Sequence, residues 1–228
     1  MKVAALYDVH GNVHALEAAL AEVDADVVLF GGDLVSGPFP RETLELARSV
    51  ANAEFVLGNA DVLSSPSGSP EWEAARKWVE DQLAADEVSW LASLPFSWRA
   101  DDTLYVHANP VDVDQIVTVF TPDERVAALL DGVAESRVVT GHVHMQFTRT
   151  VGGIAWIGAG SIGMPYAELP GAYWTLVTPD GFEHRRTDYD LEQAAAAIRA
   201  SGYPTGAQFA DENVLRVPTV AEALEVFS

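Results

Sequence analysis

Three short apolar segments, Lys2–Tyr7, Asp26–Phe30 and Glu54–Leu57, each end in a polar turn that carries glycine. The turns are Asp8-Val9-His10-Gly11-Asn12, Gly31-Gly32-Asp33 and Gly58-Asn59-Ala60-Asp61. A helix is predicted after the first turn, over Val13–Glu22, because Leu16, Ala19, Leu20 and Val23 recur on one face. After the second, a loop through Pro38 and Pro40 leads to a helix over Glu42–Val50. Strand–loop–helix repetition of this kind leaves few topologies open. It predicts right-handed βαβ units and a parallel sheet.

The pattern then changes. Ser64–Ser69 is a Ser/Pro/Gly loop, and Ser69-Pro70 reads as a cap with proline at the first helical position. Helices are predicted over Glu71–Ala84 and Glu87–Leu94, and strands over Phe96–Trp98, Thr103–His107 and Ser136–Thr140. Thr121-Pro122-Asp123-Glu124 reads as a capping box opening a helix to about Leu130. Gln146–Thr187 is β-rich, with hairpin turns at Gly152-Gly153 and Asp180-Gly181. Asp190 caps an Ala-rich helix to about Ala200, and a short helix after Pro218 sets Leu224 and Val226 on its apolar side. The chain shows no repeat, low-complexity tract or linker. The expectation is one α/β domain over 1–228, two facing sheets with helices outside and a helical insertion at about 65–95.

Composition narrows the chemistry. The absence of cysteine excludes disulfides, thiolate catalysis and thiolate metal sites, so any metal must be held by His, Asp, Glu, Asn or backbone oxygen. No apolar run approaches the roughly 20 residues of a membrane span, so no membrane partner is expected. The apolar run before Asp8 is too short for a signal core, which places the expected protein in the cytoplasm. With 13 Lys+Arg against 34 Asp+Glu the net charge is −21, which disfavours extended nucleic acid as a partner.

Five motifs place polar residues just after the last apolar residue of a strand. They are Asp8-Val9-His10, Gly31-Gly32-Asp33, Gly58-Asn59-Ala60-Asp61, Tyr105-Val106-His107 and Gly141-His142-Val143-His144. Ligands of open α/β sheets bind at the carboxyl ends of strands. Residues two apart in an extended segment point the same way, so Asp8 with His10, and His142 with His144, can each grip one side of a cluster. Two carboxylates, four imidazoles and an Asn carbonyl form a hard-to-borderline ligand set, enough for two divalent ions sharing a carboxylate. Two ions ~3.5–4 Å apart lower the pKa of a bridging water and clamp both oxygens of an in-line displacement, as phosphoester hydrolysis requires.

These five motifs, in this order, resemble the calcineurin-like metallophosphoesterases, and their compact prokaryotic phosphodiesterase branch most of all, from Met1 to about Leu176. The resemblance implies a four-layer α/β/β/α sandwich with two facing mixed sheets. It implies that Asp8, His10 and His144 hold one ion, that Asn59, His107 and His142 hold the other, and that Asp33 bridges. Asp33, Asn59 and His107 would then serve catalysis, with two divalent ions as cofactors: Mn first, with Fe, Zn, Ni or Mg as alternatives. The implied reaction is hydrolysis of a small phosphodiester, nucleotide-like substrates included, by a metal-bridging hydroxide. Alternatives are a phosphomonoesterase, a dinucleoside polyphosphate hydrolase and a non-catalytic interaction protein, the last disfavoured because every ligand position is filled. A homo-oligomer is also compatible with the resemblance. Gly158-Ala159-Gly160-Ser161-Ile162-Gly163 is similar to a Gly-Ser turn that the family places below its site.

The chain also departs from the family. Ala60 stands where efficient monoesterases have a histidine, and Tyr166 stands where many relatives have an arginine. No Lys or Arg occurs in the five motifs, so the ions would carry nearly all the positive charge. Asn12 is expected to aim its amide at substrate, although Asn after Gly is also a common turn residue. Asp61 either accepts from a ligand histidine or caps the following turn. His14 is expected to be packed or solvated, and His184 to lie at the surface. Trp72, Trp78, Trp90 and Trp98 either stack a nucleobase or, as expected of most such residues, fill space between helices.

Overall fold

The computed structural model describes residues 1–64 and 69–227, so the Ser/Pro/Gly loop expected at Ser64–Ser69 lies mostly outside the described residues. In chain order the first half contains β1 (Val3–Leu6), α1 (Val13–Glu22), β2 (Val27–Phe30), α2 (Pro40–Ser49), β3 (Ala53–Phe55), α3 (Pro70–Gln82), α4 (Ala85–Ala92), β4 (Ser97–Ala100) and β5 (Thr103–Val106). There follow α5 (Asp123–Leu129), β6 (Arg137–Thr140), β7 (Gln146–Val151), β8 (Ile154–Ala159), β9 (Ala172–Thr178), β10 (Gly181–Thr187), α6 (Leu191–Ala200), α7 (Gly206–Phe209) and α8 (Val220–Val226). One sheet has the order β10-β9-β1-β2-β3 and the other β4-β5-β6-β8-β7. Strands β1, β2 and β3 run parallel in the first sheet, where antiparallel β9 and β10 complete one edge; β5, β6 and β8 run parallel in the second, between antiparallel β4 and β7 at its edges.

The alternation of side chains along β1 explains the layers. Val3, Ala5 and Tyr7, with Leu29 of β2, face the second sheet and pack with Tyr105, Val139 and Ile157 there. Ala4 and Leu6 face the opposite way, into a cluster with Leu16, Ala19 and Leu44 from the outer helices. Leu104, Val106 and Val138 turn outward from the second sheet to meet Val126 and Leu129 of α5. Strands buried on both faces must be apolar at every position, and β1 is fully buried along its length. The result is the α/β/β/α sandwich. Among the described residues no helix is long and apolar enough to cross a membrane.

Several local expectations are corrected. Helix α5 opens without a side-chain cap, because the Thr121 hydroxyl instead accepts from the Thr118 amide at 2.9 Å. Val226 on α8 is 81% exposed, and Ala223 takes the inward position beside Leu224. The α2 helix begins at Pro40, two residues before the expected start, since proline is well suited to the first turn. The segment from Gly206 to Leu215, for which no element was expected, forms α7 followed by a π-helical turn over Ala210–Leu215.

Candidate metal centre

Six non-glycine residues among the described ones adopt left-handed backbone, and five of them are Asp8, His10, Asp33, His142 and His144. Their φ values are 52°, 47°, 53°, 65° and 57°; the sixth is Asp101, in the β4–β5 turn. Each such residue costs roughly 1–2 kcal/mol. Strain of this kind survives only where the surroundings over-determine it, and it gathers at functional sites. It also corrects the period-two argument for Asp8 with His10 and His142 with His144. Those pairs do face one cluster, but left-handed turns beyond β1 and β6, not extended chain, aim them there.

The loops are tied to one another. The amides of Asp8 and His10 donate to the carbonyls of Gly32 and Asp33 at 3.1 and 2.9 Å, and that of Gly141 donates to His107 at 2.9 Å. The His142 amide donates to Asp8 Oδ2 at 2.9 Å. Such close approach requires glycine. A Cβ on Gly141 would stand 2.4 Å from Asp8 Oδ2, and one on Gly32 (φ 98°) would stand 2.6 Å from His107 Nδ1. Below them, Ser161 donates to the Asp8 carbonyl at 2.8 Å, and the Gly163 amide donates to the same carbonyl at 3.0 Å. The Gly-Ser turn therefore braces the first motif.

Each histidine is oriented by a carbonyl. Nδ1 of His10, His107 and His144 donates to Ser36, Gly31 and Met164 at 3.3, 3.0 and 2.7 Å. His142 is reversed, with Nε2 donating to the Asp114 carbonyl at 2.8 Å. A carbonyl can only accept, so each ring, when neutral, turns its opposite nitrogen inward with a lone pair, the arrangement metal-ligating histidines use. There, His10 Nε2 and His144 Nε2 are 3.1 Å apart. Asn59 Oδ1 is 2.9 Å from His107 Nε2 and 3.1 Å from His142 Nδ1. Asp33 Oδ2 lies between the halves, 3.7 Å from His10 and 3.5 Å from His107. Asp8 Oδ1 is likewise 3.5 Å from His144 and 3.9 Å from His107.

These groups fit divalent cations. Asp8, His10 and His144 offer one set of ligand atoms within 4.8 Å of one another, and Asp8, Asp33 and His107 offer a second. Asp8 Oδ1 is buried without a hydrogen-bond partner, and the inward nitrogens of His10 and His144 converge to 3.1 Å beside it. An orphaned buried carboxylate oxygen is costly unless something positive meets it.

The electrostatics agree. Burial opposes the charged form of His107, but Asp33 and Asp8 outweigh it and lift that imidazole to about 10. Burial likewise opposes a charged His144, yet Asp8 raises it. His10 goes the other way, since burial and then His144 push it down to about 4, and burial with His107 lowers His142. Burial would raise Asp8, but His144 and His107 hold it below the ordinary carboxylate value; His107 and the Ala60 amide do the same for Asp33. The carboxylates therefore stay ionised and hold positive charge at the cluster.

Asn12 does not face the cluster. It is fully buried; its Oδ1 accepts from the Ala15 amide at 3.2 Å, capping α1, and its Nδ2 donates to Tyr189 and to the Gly163 carbonyl. The turn role wins, because an Asn at that position satisfies an otherwise orphaned helix donor. Asp61 touches no ligand histidine. Its carboxylate accepts from the amides of Gly58, Asp33 and Leu34, each at 2.9 Å, which locks two ligand loops together. His14 packs edge-on against Phe39. His184 is partly covered rather than at the surface, its Nδ1 2.9 Å from the Thr175 hydroxyl.

A cavity of about 420 Å³ opens over the cluster, lined by His10, Asp33, Asn59, His142 and His144. Trp72 from α3 and Tyr166 also line it, and the sequence pattern missed two further lining residues, Arg76 of α3 and Tyr203. Arg76 brings a cation to a site whose motifs contain none, but it is paired with Glu73 and, at 3.1 Å, with Glu80. Its (i, i+3) and (i, i+4) spacing to two glutamates resembles any solvated helix face, so no local signal marked it.

Comparison with known proteins bears on the same region. A crystal structure of a metallophosphoesterase from Sphaerobacter thermophilus is 26% identical, covers 94% of this chain and 100% of its own, and superposes with a TM-score of 0.77. A hypothetical protein, PH1004 of Pyrococcus horikoshii, shares the fold at 18% identity, with 95% and 99% of the two chains covered and a TM-score of 0.80. A cold-active protein-tyrosine phosphatase of a Shewanella species shares the fold more loosely, at 14% identity, 82% and 80% coverage and a TM-score of 0.53. No match to the chain was found among curated proteins. The family model of the calcineurin-like phosphoesterase superfamily domain matches residues 1–181, a span that contains all five motifs, and the chain belongs to that superfamily.

Proposed function

We propose that this hydrolase is a two-metal phosphodiesterase acting in the cytoplasm on small phosphodiesters. Asp8, His10 and His144 would hold one divalent ion and Asn59, His107 and His142 the other, with Asp33 available to both; Mn²⁺ suits the oxygen-and-imidazole set, with Fe, Zn, Ni or Mg as alternatives. The observation that carries this reading is the position of Asp33 Oδ2, 3.7 Å from the ring nitrogen of His10 and 3.5 Å from that of His107. When bound, two such ions neutralise charge on a transferring phosphoryl group and activate water.

The chain's own residues set the rest. Gly31, Ser36 and Met164 fix the ring orientations of His107, His10 and His144, so their inward nitrogens need no reorganisation. Asp33, held ionised by His107 and by the Ala60 amide, keeps negative charge between the two halves. Within the insertion expected at about 65–95, helix α3 walls the cavity through Trp72 and Arg76. The acidic surface disfavours extended nucleic acid, leaving small substrates.

Ala60 lines the cavity beside Asn59 and offers no proton to a departing alkoxide. A positioned general acid contributes about 10²–10⁴-fold to such a step. Arg76 does not replace it, because two glutamates already engage its guanidinium. This favours diesters with weakly basic leaving groups over alkyl monoesters. The test compares kcat/KM for bis(p-nitrophenyl) phosphate and an alkyl monoester with Mn²⁺, in wild type and Ala60→His. The aryl diester should be the better wild-type substrate, and Ala60→His should raise monoesterase activity more than diesterase activity. A wild-type preference for the alkyl monoester would refute the diesterase assignment.

A further inference from the structure

Beyond the cluster the cavity does not close. A second cavity of about 270 Å³ continues from it, and Ser36, Trp72, Met164, Tyr166 and Tyr203 line both. Three aromatic side chains thus form the neck between the ligand cluster and an outer chamber. Two of them are fixed from behind. The Tyr166 ring lies against His144 (centroids 5.2 Å, interplanar angle 29°), and Tyr203 meets Trp78 edge-on at 5.4 Å.

Trp72 is the exception. It is 57% exposed, the one exposed residue among the chain's six tryptophans, and it stands at this neck. The others pack: Trp90 against Phe55, Trp98 against Tyr105, Trp78 against Tyr203, with Trp156 and Trp174 buried. An exposed indole at the mouth of an active-site cavity offers a large planar face for a ring to cover.

The outer chamber states what kind of ring. Its wall contains Glu71 and Glu212 and no lysine or arginine among the described residues. A second phosphate there would meet carboxylates without a compensating cation, which argues against polyphosphate substrates. Gln208, Glu212 and Asn213 bring amide and carboxylate groups able to bond a polar ring edge. Glu212 and Asn213 lie on the π-helical turn, a local irregularity that recurs at functional sites. Gln208 already donates to Glu212 at 2.9 Å, so the polar edge would be met by the Gln208 and Asn213 amide oxygens and the remaining Glu212 oxygen.

We propose that the outer chamber seats the uncharged, planar heteroaromatic arm of the substrate, a nucleoside, with its base stacked on Trp72 and its single phosphate at the ligand cluster. The proposal rests on the phosphodiesterase reading and names the substrate class for it. The probes are thymidine 5′-(p-nitrophenyl phosphate) and methyl p-nitrophenyl phosphate, which share a leaving group and a charge and differ in the other arm. With the full Mn²⁺-loaded chain, the nucleoside ester should be preferred in kcat/KM by roughly 10-fold or more, the scale of one base–aromatic stack. Trp72→Ala should erase most of that preference through KM, and Trp72→Phe should restore much of it. Equal kcat/KM for the two esters, or a preference unchanged in Trp72→Ala, would overturn the subsite while leaving the diesterase standing. If neither ester is cleaved, the diesterase reading fails. Calorimetric binding then decides the subsite: thymidine 5′-monophosphate should bind about 10-fold more tightly than ribose 5-phosphate. Equal affinities would overturn it.

Discussion

Replacing Asp61 with alanine should weaken the fold and the metal centre together. The buried carboxylate accepts three backbone amides, from Gly58, Asp33 and Leu34, each at 2.9 Å. Each orphaned buried donor costs about 1–3 kcal/mol, so the three together would cost about 3–9 kcal/mol. Burial, with Asp33 nearby, raises the Asp61 carboxyl to about 7, so the ionised group is itself expensive and its removal returns part of the loss. A net destabilisation of about 3–5 kcal/mol follows. For a chain of this length 1 kcal/mol shifts Tm by about 2–4 °C, so the midpoint should fall by roughly 10 °C. Asp61→Asn keeps one oxygen and should lose about a third as much, on the same count of broken bonds. Because the loops carrying Asn59 and Asp33 are freed, metal affinity should fall about 10–100-fold. Thermal denaturation by circular dichroism and a metal titration read the two effects. A midpoint within about 3 °C of wild type, roughly 1 kcal/mol, with unchanged metal affinity would refute the reasoning.

Asp33→Asn should remove nearly all turnover and weaken both metal sites, whereas near-wild-type activity would rule out its shared position. Gly141→Ala should displace the Asp8 carboxylate, because the new Cβ would stand 2.4 Å from Oδ2, and a metal titration should show about a 10-fold or greater loss of affinity. The pH dependence follows from His107, whose value near 10 in the folded chain exceeds its ordinary 6.5. Stability from its charge is therefore full below 6.5 and is lost as pH rises toward 10. Binding a cation expels that proton, so calorimetric Mn²⁺ titrations at about pH 8 in two buffers of different ionisation enthalpy should show about one proton released per chain. Heats identical after buffer correction for zero protons would contradict this.

The parts of this molecule legible in its sequence are those set by local chemistry. Helix α1 has its expected bounds, and Ser69 and Asp190 cap their helices through side-chain bonds to Trp72 and Gln193. The order of the five motifs placed seven polar side chains at strand ends, and the structure gathers all seven. What was hidden depends on contacts between distant segments. Asn12 has a side chain equally suited to a turn, a substrate or a cap, and only the packing of Tyr189 and Gly163 above it decides. Asp61 sits in the right motif, but its partners Asp33 and Leu34 are 28 and 27 residues away. Thr121 has the residue type of a cap, yet its hydroxyl is engaged by Thr118. Arg76 and Tyr203 reach the cavity from segments with no motif of their own. The left-handed turns at Asp8, His10, Asp33, His142 and His144 are not legible, because Asp and His adopt that conformation more often than other non-glycine residues but still too seldom for residue type to announce it.

Metal content measured by elemental analysis on protein loaded with Mn²⁺ and freed of excess tests the central claim most directly. The account predicts two ions per chain in the wild type and about one after His142→Ala, since that change removes one inward-facing nitrogen from one half of the cluster and leaves Asp8, His10 and His144 intact. No more than trace metal in the wild type, under conditions where the chain is folded, would contradict it.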